Sequence, residues 1–153
     1  MEKHDVIRVL FNKKGGVGKS SLTVNLAAIS ASQGFRTLIL DLDTQCNSTS
    51  YLNALDVPAE RTIADLFEQT ITFHLHRRPA IDYCQPTQMD NLYIIPGSER
   101  LTELESELHS RHKIYKLREA LASLSKEFDH IYIDTAPALN FYSLSALIAA
   151  DSC

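Results

Sequence analysis

Residues 13–20 read Lys13-Lys14-Gly15-Gly16-Val17-Gly18-Lys19-Ser20. A glycine-rich loop ending in Gly-Lys-Ser, entered from an apolar strand and opening a helix, is a device for holding a nucleoside triphosphate. Its backbone N–H groups surround the phosphates, its lysine reaches the outer phosphate oxygens and its serine hydroxyl ligates magnesium. The common form of the motif has glycine where Lys13 stands, and a further lysine, Lys14, directly precedes the glycine pair. Both flanks suit such a loop. Residues 6–11 are almost wholly apolar, as in a buried parallel strand. Leu22, Leu26 and Ile29 recur at helical spacing before Gly34, which predicts a helix over residues 20–33.

Further along the chain, strands and helices alternate. Strands are predicted at 37–42, 92–95 and 130–134, and helices at 62–69, 98–108, 113–128 and 141–150. Leu101, Leu104 and Leu108 form one apolar stripe, and Ile114, Leu117, Leu121, Leu124 and Phe128 another; both read as core-facing. Residues 70–91 lack periodicity and are expected to form an irregular connection. The alternation predicts an α/β fold, a parallel sheet wrapped by helices in a Rossmann-like three-layer arrangement. With 153 residues, 44% of them hydrophobic, the chain fits a single nucleotide-binding domain, residues 1–153.

Bulk properties exclude several classes. A net charge of −4 argues against a general nucleic-acid coat. No apolar run approaches membrane-spanning length, and Met1-Glu2-Lys3-His4-Asp5 lacks a signal peptide's apolar core. Cys46, Cys84 and Cys153 share no spacing motif, which points to a reducing, cytoplasmic setting. His74 with His76, and His109 with His112, have metal-pair spacing but no Cys or carboxylate to complete a site.

In parallel sheets ligands gather beyond the carboxyl ends of the strands. The first strand ends in the phosphate loop, and the second in Asp41-Leu42-Asp43-Thr44-Gln45-Cys46-Asn47. Residues 92–95 end in Pro96-Gly97, which offers no side-chain chemistry, and 130–134 end in Asp134 followed by Thr135-Ala136-Pro137. A strand-end aspartate facing such a loop holds nucleotide-bound magnesium directly or through water, although alone it more often caps a helix or turn. Asp134 is therefore the expected magnesium aspartate, with Ser20 as the loop's ligand and Asp41 in support. Asp41 and Asp43 alternate along their strand, so one can serve the site while the other anchors a loop. Asp43 is the candidate for orienting an attacking water, with Asp41 in support.

Taken together, these motifs resemble the ParA/MinD family of deviant Walker-A ATPases. The loop matches K-G-G-x-G-K-[ST] through Lys14, Gly15, Gly16, Val17, Gly18, Lys19 and Ser20, and Asp134 matches the magnesium-site aspartate. The segment after the second strand is similar to the ParA branch's D-x-D-P-Q-G-N, keeping Asp41, Asp43, Gln45 and Asn47. Thr44 stands for the proline and Cys46 for the glycine.

The resemblance implies ATP and magnesium as cofactors. It assigns Lys19 to the β- and γ-phosphates, Ser20 to magnesium (with Asp134) and Ser21 to the neighbourhood of the α-phosphate. It makes Lys14 a residue that crosses the interface of an ATP-dependent homodimer, offsetting the repulsion between two facing triphosphates. Asp43 would position water, and residues 41–47 and 134–137 would be switch regions sensing the γ-phosphate.

A bacterial, cytoplasmic and potentially nucleoid-associated ATPase that partitions or positions DNA or large cargo is the implied function. A ParB-like partner or cargo adaptor would stimulate it, and non-specific DNA would be held through a surface absent from this chain. No membrane contact is implied. Family members usually continue for roughly a hundred residues more, so the chain is expected to be truncated before the C-terminal strands. That would leave one edge of the first strand uncovered.

Three alternatives remain open. One is an ATP-dependent amide-forming or carboxylating enzyme such as cobyrinate diamide synthase or dethiobiotin synthetase, which generally lack the lysine of Lys14. Another is an iron–sulfur carrier, for which suitably placed cysteines are wanting. The third is a nucleotide- or partner-binding fragment without turnover.

Overall fold

The computed structural model describes residues 6–10, 18–54, 60–73 and 75–150. Its centre is a five-stranded sheet in the order β1-β5-β2-β4-β3. Here β1 is Val6–Leu10, β2 Thr37–Asp41, β3 Gln85–Pro86, β4 Leu92–Ile95 and β5 His130–Asp134. The helices are α1 (Lys19–Ser32), α2 (Asn47–Tyr51), α3 (Ile63–Glu68), α4 (Leu101–Ser110), α5 (Lys116–Leu124) and α6 (Phe141–Ala150). All pairings are parallel except β3 with β4.

Every residue of β2 is buried, which explains its unbroken apolar reading. β1 pairs only with β5 among the described residues and so stands at the sheet's edge. The register sets Leu10, Asp134 and Asp41 level with one another across β1, β5 and β2. Two aspartates are thereby brought side by side at the carboxyl edge of the sheet.

The core lies mainly on the face covered by α3 to α6. Leu101 and Leu108 of α4 are buried with Leu117, Leu121 and Leu124 of α5, and Phe128 joins them just beyond that helix. Leu104 and Ile114 pack against this cluster while remaining partly exposed. Phe67, Phe141 and Tyr142 meet edge to face within it.

Helix α1 behaves differently from what its large side chains suggest. Its buried residues are the small Ser20, Thr23, Ala27, Ser30 and Ala31, whereas Leu22 and Ile29 are about half exposed, at 50% and 54%. The apolar repeat locates the helix but not its buried face. Small residues let α1 approach β5 and β2 closely, where Ala27 and Ala31 pack with Ile39 and Tyr132.

Residues 70–91 contain two short elements that aperiodic sequence conceals. A 3-10 turn over Ala80–Tyr83 follows Pro79, and the two-residue β3 adds an antiparallel edge to β4. Pro86 is tolerated there because an edge strand need not donate on both sides. The helices predicted over 98–108 and 113–128 both start three residues later, at Leu101 and Lys116. In the first, Ser98 takes up the entry by accepting the N–H groups of Arg100 and Leu101 on its hydroxyl and carbonyl. The second is confined to Lys116–Leu124 by His112, at φ 56, before it and by a turn carrying Phe128 after it.

Candidate nucleotide site

Gly18 enters α1 at φ 112, a left-handed conformation that favours glycine, and its carbonyl accepts the N–H of Leu22. The first turn of α1 carries no acidic side chain and Gly18 offers no side-chain cap, as suits a helix start that meets an anion. Lys19 and Ser20 follow at once and face the strand ends; Ser21 is exposed on the same turn. Lys13, Lys14, Gly15, Gly16 and Val17 lie outside the described residues.

Asp134, at the end of β5, is fully buried and collects three groups. Its Oδ2 accepts the hydroxyl of Ser20 at 2.6 Å and that of Ser48 at 2.7 Å. Its Oδ1 lies 2.7 Å from Lys19 Nζ. That contact is an ion pair without hydrogen-bond direction: both Nζ and Oδ1 are buried and lack a directed hydrogen-bond partner. A buried ammonium and a buried carboxylate oxygen with unused capacity, beside a serine hydroxyl and the opening of a helix, fit a magnesium-bound triphosphate.

Asp43 and Asp41 divide their tasks. Asp43 is nearly buried; its Oδ2 lies 3.9 Å from Lys19 Nζ, while Oδ1 accepts the N–H of Gln45. Asp41 turns to structure instead. Its Oδ2 accepts the N–H of Thr49 at 3.0 Å and the Thr49 hydroxyl at 2.6 Å, and its Oδ1 accepts the N–H of Asp43. Burial pushes the Asp41 carboxyl up to about 7; the Thr49 hydroxyl opposes this and the neighbouring Asp134 charge adds to it.

Thr49 extends the tie by accepting the N–H of Gly97 at 2.8 Å, while the Pro96 carbonyl accepts the N–H of Ile63. Pro96-Gly97, plain in the sequence, thus anchors the segment after β2 to the end of β4 and the start of α3. A Cβ on Gly97 would come within 2.9 Å of Asp41 Cγ and 3.1 Å of Cys46 Sγ, so glycine permits this approach. Cys46 itself adopts φ 55 and ψ 34, left-handed geometry that explains why a glycine suits that position.

Sequence reasoning did not find Ser48, Thr49 or α2. The one visible signal was the hydroxyl run Ser48-Thr49-Ser50 directly after the acidic segment. A five-residue helix carries too little periodicity to be read. Among the described residues no histidine joins this cluster, and the ring of His109 lies edge-on to Phe141; His74 lies outside the described residues.

A protein-family model described as "AAA domain" matches residues 5–153. The chain is 38% identical over 142 residues to the chromosome partitioning protein ParA of Myxococcus xanthus, an alignment covering 92% of this chain and 48% of that protein. The chain belongs to the ParA/MinD family.

This family member corresponds to the N-terminal portion, and it spans about half the length of the curated relatives it matches. Its fold matches an ATP complex of a McdA variant from Cyanothece with a TM-score of 0.84 and 26% identity, over 98% of this chain and 55% of that one. Cobyrinic acid a,c-diamide synthase from Mycobacterium smegmatis, with a bound ATP analogue and magnesium, gives the same TM-score of 0.84 at 26% identity, over 96% of this chain and 57% of that one. The family is one of P-loop ATPases. Among the described residues no helix is long and apolar enough to cross a membrane.

Proposed function

We propose that the chain is the nucleotide-binding part of a Mg-ATP-dependent dimerising ATPase of the ParA type, which partitions or positions DNA or large cargo in the bacterial cytoplasm. The observation that supports this most is the convergence of Lys19, Ser20, Asp43 and Asp134 at the carboxyl edge of β5 and β2.

When bound, magnesium would offset phosphate charge and fix the phosphates' orientation. Ser20 and Asp134 would hold it, with Asp41 supporting them by fixing the segment that carries Asp43. Lys19 would leave Asp134 and neutralise the outer phosphate oxygens. Asp43, held by the N–H of Gln45, would orient a water. Gly15, Gly16, Val17 and Gly18 are assigned to the phosphate cradle and Ser21 to the α-phosphate. Lys14 is assigned to a partner subunit's nucleotide. A stimulating partner of the ParB or cargo-adaptor kind and non-specific DNA complete the proposed cycle.

An ATP-dependent amide-forming enzyme is the alternative, because the cobyrinic acid a,c-diamide synthase shares the fold equally well. Lys14 separates the two. The test is the solution mass of the chain with and without Mg-ATP, alongside Lys14→Ala. A dimer formed only with Mg-ATP, and lost in Lys14→Ala, is expected; dimerisation unchanged by that substitution overturns the role of Lys14.

A further inference from the structure

Ser48 opens no motif and ends no strand, yet it is fully buried and its hydroxyl lies 2.7 Å from Asp134 Oδ2. The same oxygen accepts Ser20 at 2.6 Å. Two hydroxyls use both lone pairs of Oδ2, so the remaining capacity of the carboxylate is confined to Oδ1, the atom that faces Lys19. A carboxylate free to rotate about its Cβ–Cγ bond would present either oxygen. Donors from α1 on one side and α2 on the other remove that freedom.

We infer that Ser48 is a positioning residue for the Asp134 carboxylate, tying the segment after β2 to the magnesium-binding end of β5. The inference rests on the magnesium-nucleotide function proposed above and adds a residue to it. Ser48 sits in the first turn of α2, directly after the stretch that carries Asp43. Its hydrogen bond therefore couples the placement of Asp43 to the orientation of Asp134. Ser20 can donate its proton to Asp134 while its oxygen lone pairs face a cation; Ser48, which donates from α2, serves orientation alone.

The coupling makes a specific demand on metal dependence. Ser48→Ala removes the hydroxyl, and Ser48→Cys keeps the side-chain volume but substitutes a weak donor. ATP binding by the full chain is measured by calorimetry at stepped magnesium concentrations and in EDTA, with circular dichroism to verify the fold. The magnesium concentration for half-maximal strengthening of ATP binding is expected to rise about tenfold in both variants, as for the loss of one hydrogen bond to a charged group. ATP affinity in EDTA is expected to stay unchanged.

An unchanged magnesium requirement in both variants, with magnesium-dependent binding intact in the wild type, overturns the role of Ser48 and leaves the proposed function standing. A shift in Ser48→Ala but not in Ser48→Cys assigns the effect to packing and overturns the role equally. A wild-type chain whose ATP binding ignores magnesium overturns the proposed function, and this inference with it.

Discussion

Lys19 Nζ and Asp134 Oδ1 lie 2.7 Å apart in a buried ion pair, one residue from the first turn of α1 and the other from the end of β5. The loop's lysine therefore rests on the aspartate assigned to magnesium. Under the proposed function, binding of a magnesium triphosphate would part them, turning Lys19 to phosphate and Asp134 towards the cation. Until then each of the two buried ionised groups compensates the other's charge.

Asp134→Ala leaves the Lys19 ammonium without its nearest counter-charge in a buried place. Breaking such a pair typically costs about 3–5 kcal/mol. Chemical denaturation without nucleotide should show a loss of that order. A loss below about 1 kcal/mol would mean that the pair is solvent-screened like a surface bridge.

Lys19→Ala should abolish measurable ATP binding, because it removes the buried cation proposed to meet the outer phosphates. Asp43→Ala should retain ATP binding but lose turnover wherever the wild-type chain shows it, since that carboxylate touches Lys19 only at 3.9 Å. Calorimetry and phosphate release separate these outcomes. Undiminished affinity in Lys19→Ala contradicts the phosphate-loop assignment, and undiminished turnover in Asp43→Ala contradicts the water-orienting role.

Asp41 gives a pH dependence whose sign follows from its burial. Its carboxyl is raised from an ordinary 3.8 to about 7, so the folded chain holds the proton more tightly than the unfolded chain. The associated stability is fully present below about pH 4 and is lost as pH rises through about 7. Asp41→Asn, which cannot ionise, should show a smaller fall in melting temperature between pH 5 and pH 8 than the wild type. Parallel curves for the two proteins would reject a raised Asp41.

Gly97→Ala should destabilise by about 1–3 kcal/mol, the usual cost of overpacking. The new methyl would meet Asp41 Cγ at 2.9 Å and Cys46 Sγ at 3.1 Å. The double variant Gly97→Ala with Cys46→Gly should recover part of that loss, since it removes one of the obstructing atoms. Strict additivity in urea denaturation would show that Cys46 is not part of the conflict.

The strands were legible because buried parallel strands are short apolar runs: residues 92–95 and 130–134 match β4 and β5 at both ends, and 37–42 runs one residue past β2. Residues 6–11 contain β1, with Phe11 outside the described residues. The edge β3 and the helix α2 were not legible: at two and five residues they hold no periodicity, and tertiary hydrogen bonds define them. The same limit applies to the site. Lys19, Ser20, Asp43 and Asp134 stand at strand ends or in a recognisable loop, where spacing carries chemistry. Ser48, Thr49 and Gly97 matter through contacts across 86, 8 and 48 residues of sequence, which no local pattern records. The exposed Leu22 and Ile29 show the converse, a clear period whose buried face is set by the close approach of small residues to the sheet.

Calorimetric titration of the 153-residue chain with ATP, once with magnesium and once in EDTA, tests the Lys19–Asp134 site most directly. Saturable binding that magnesium strengthens is the expected result, because Ser20 and Asp134 would then hold the cation while Lys19 turns to the phosphates. Absence of saturable binding at millimolar ATP, or binding indifferent to magnesium, would contradict that role for the ion pair.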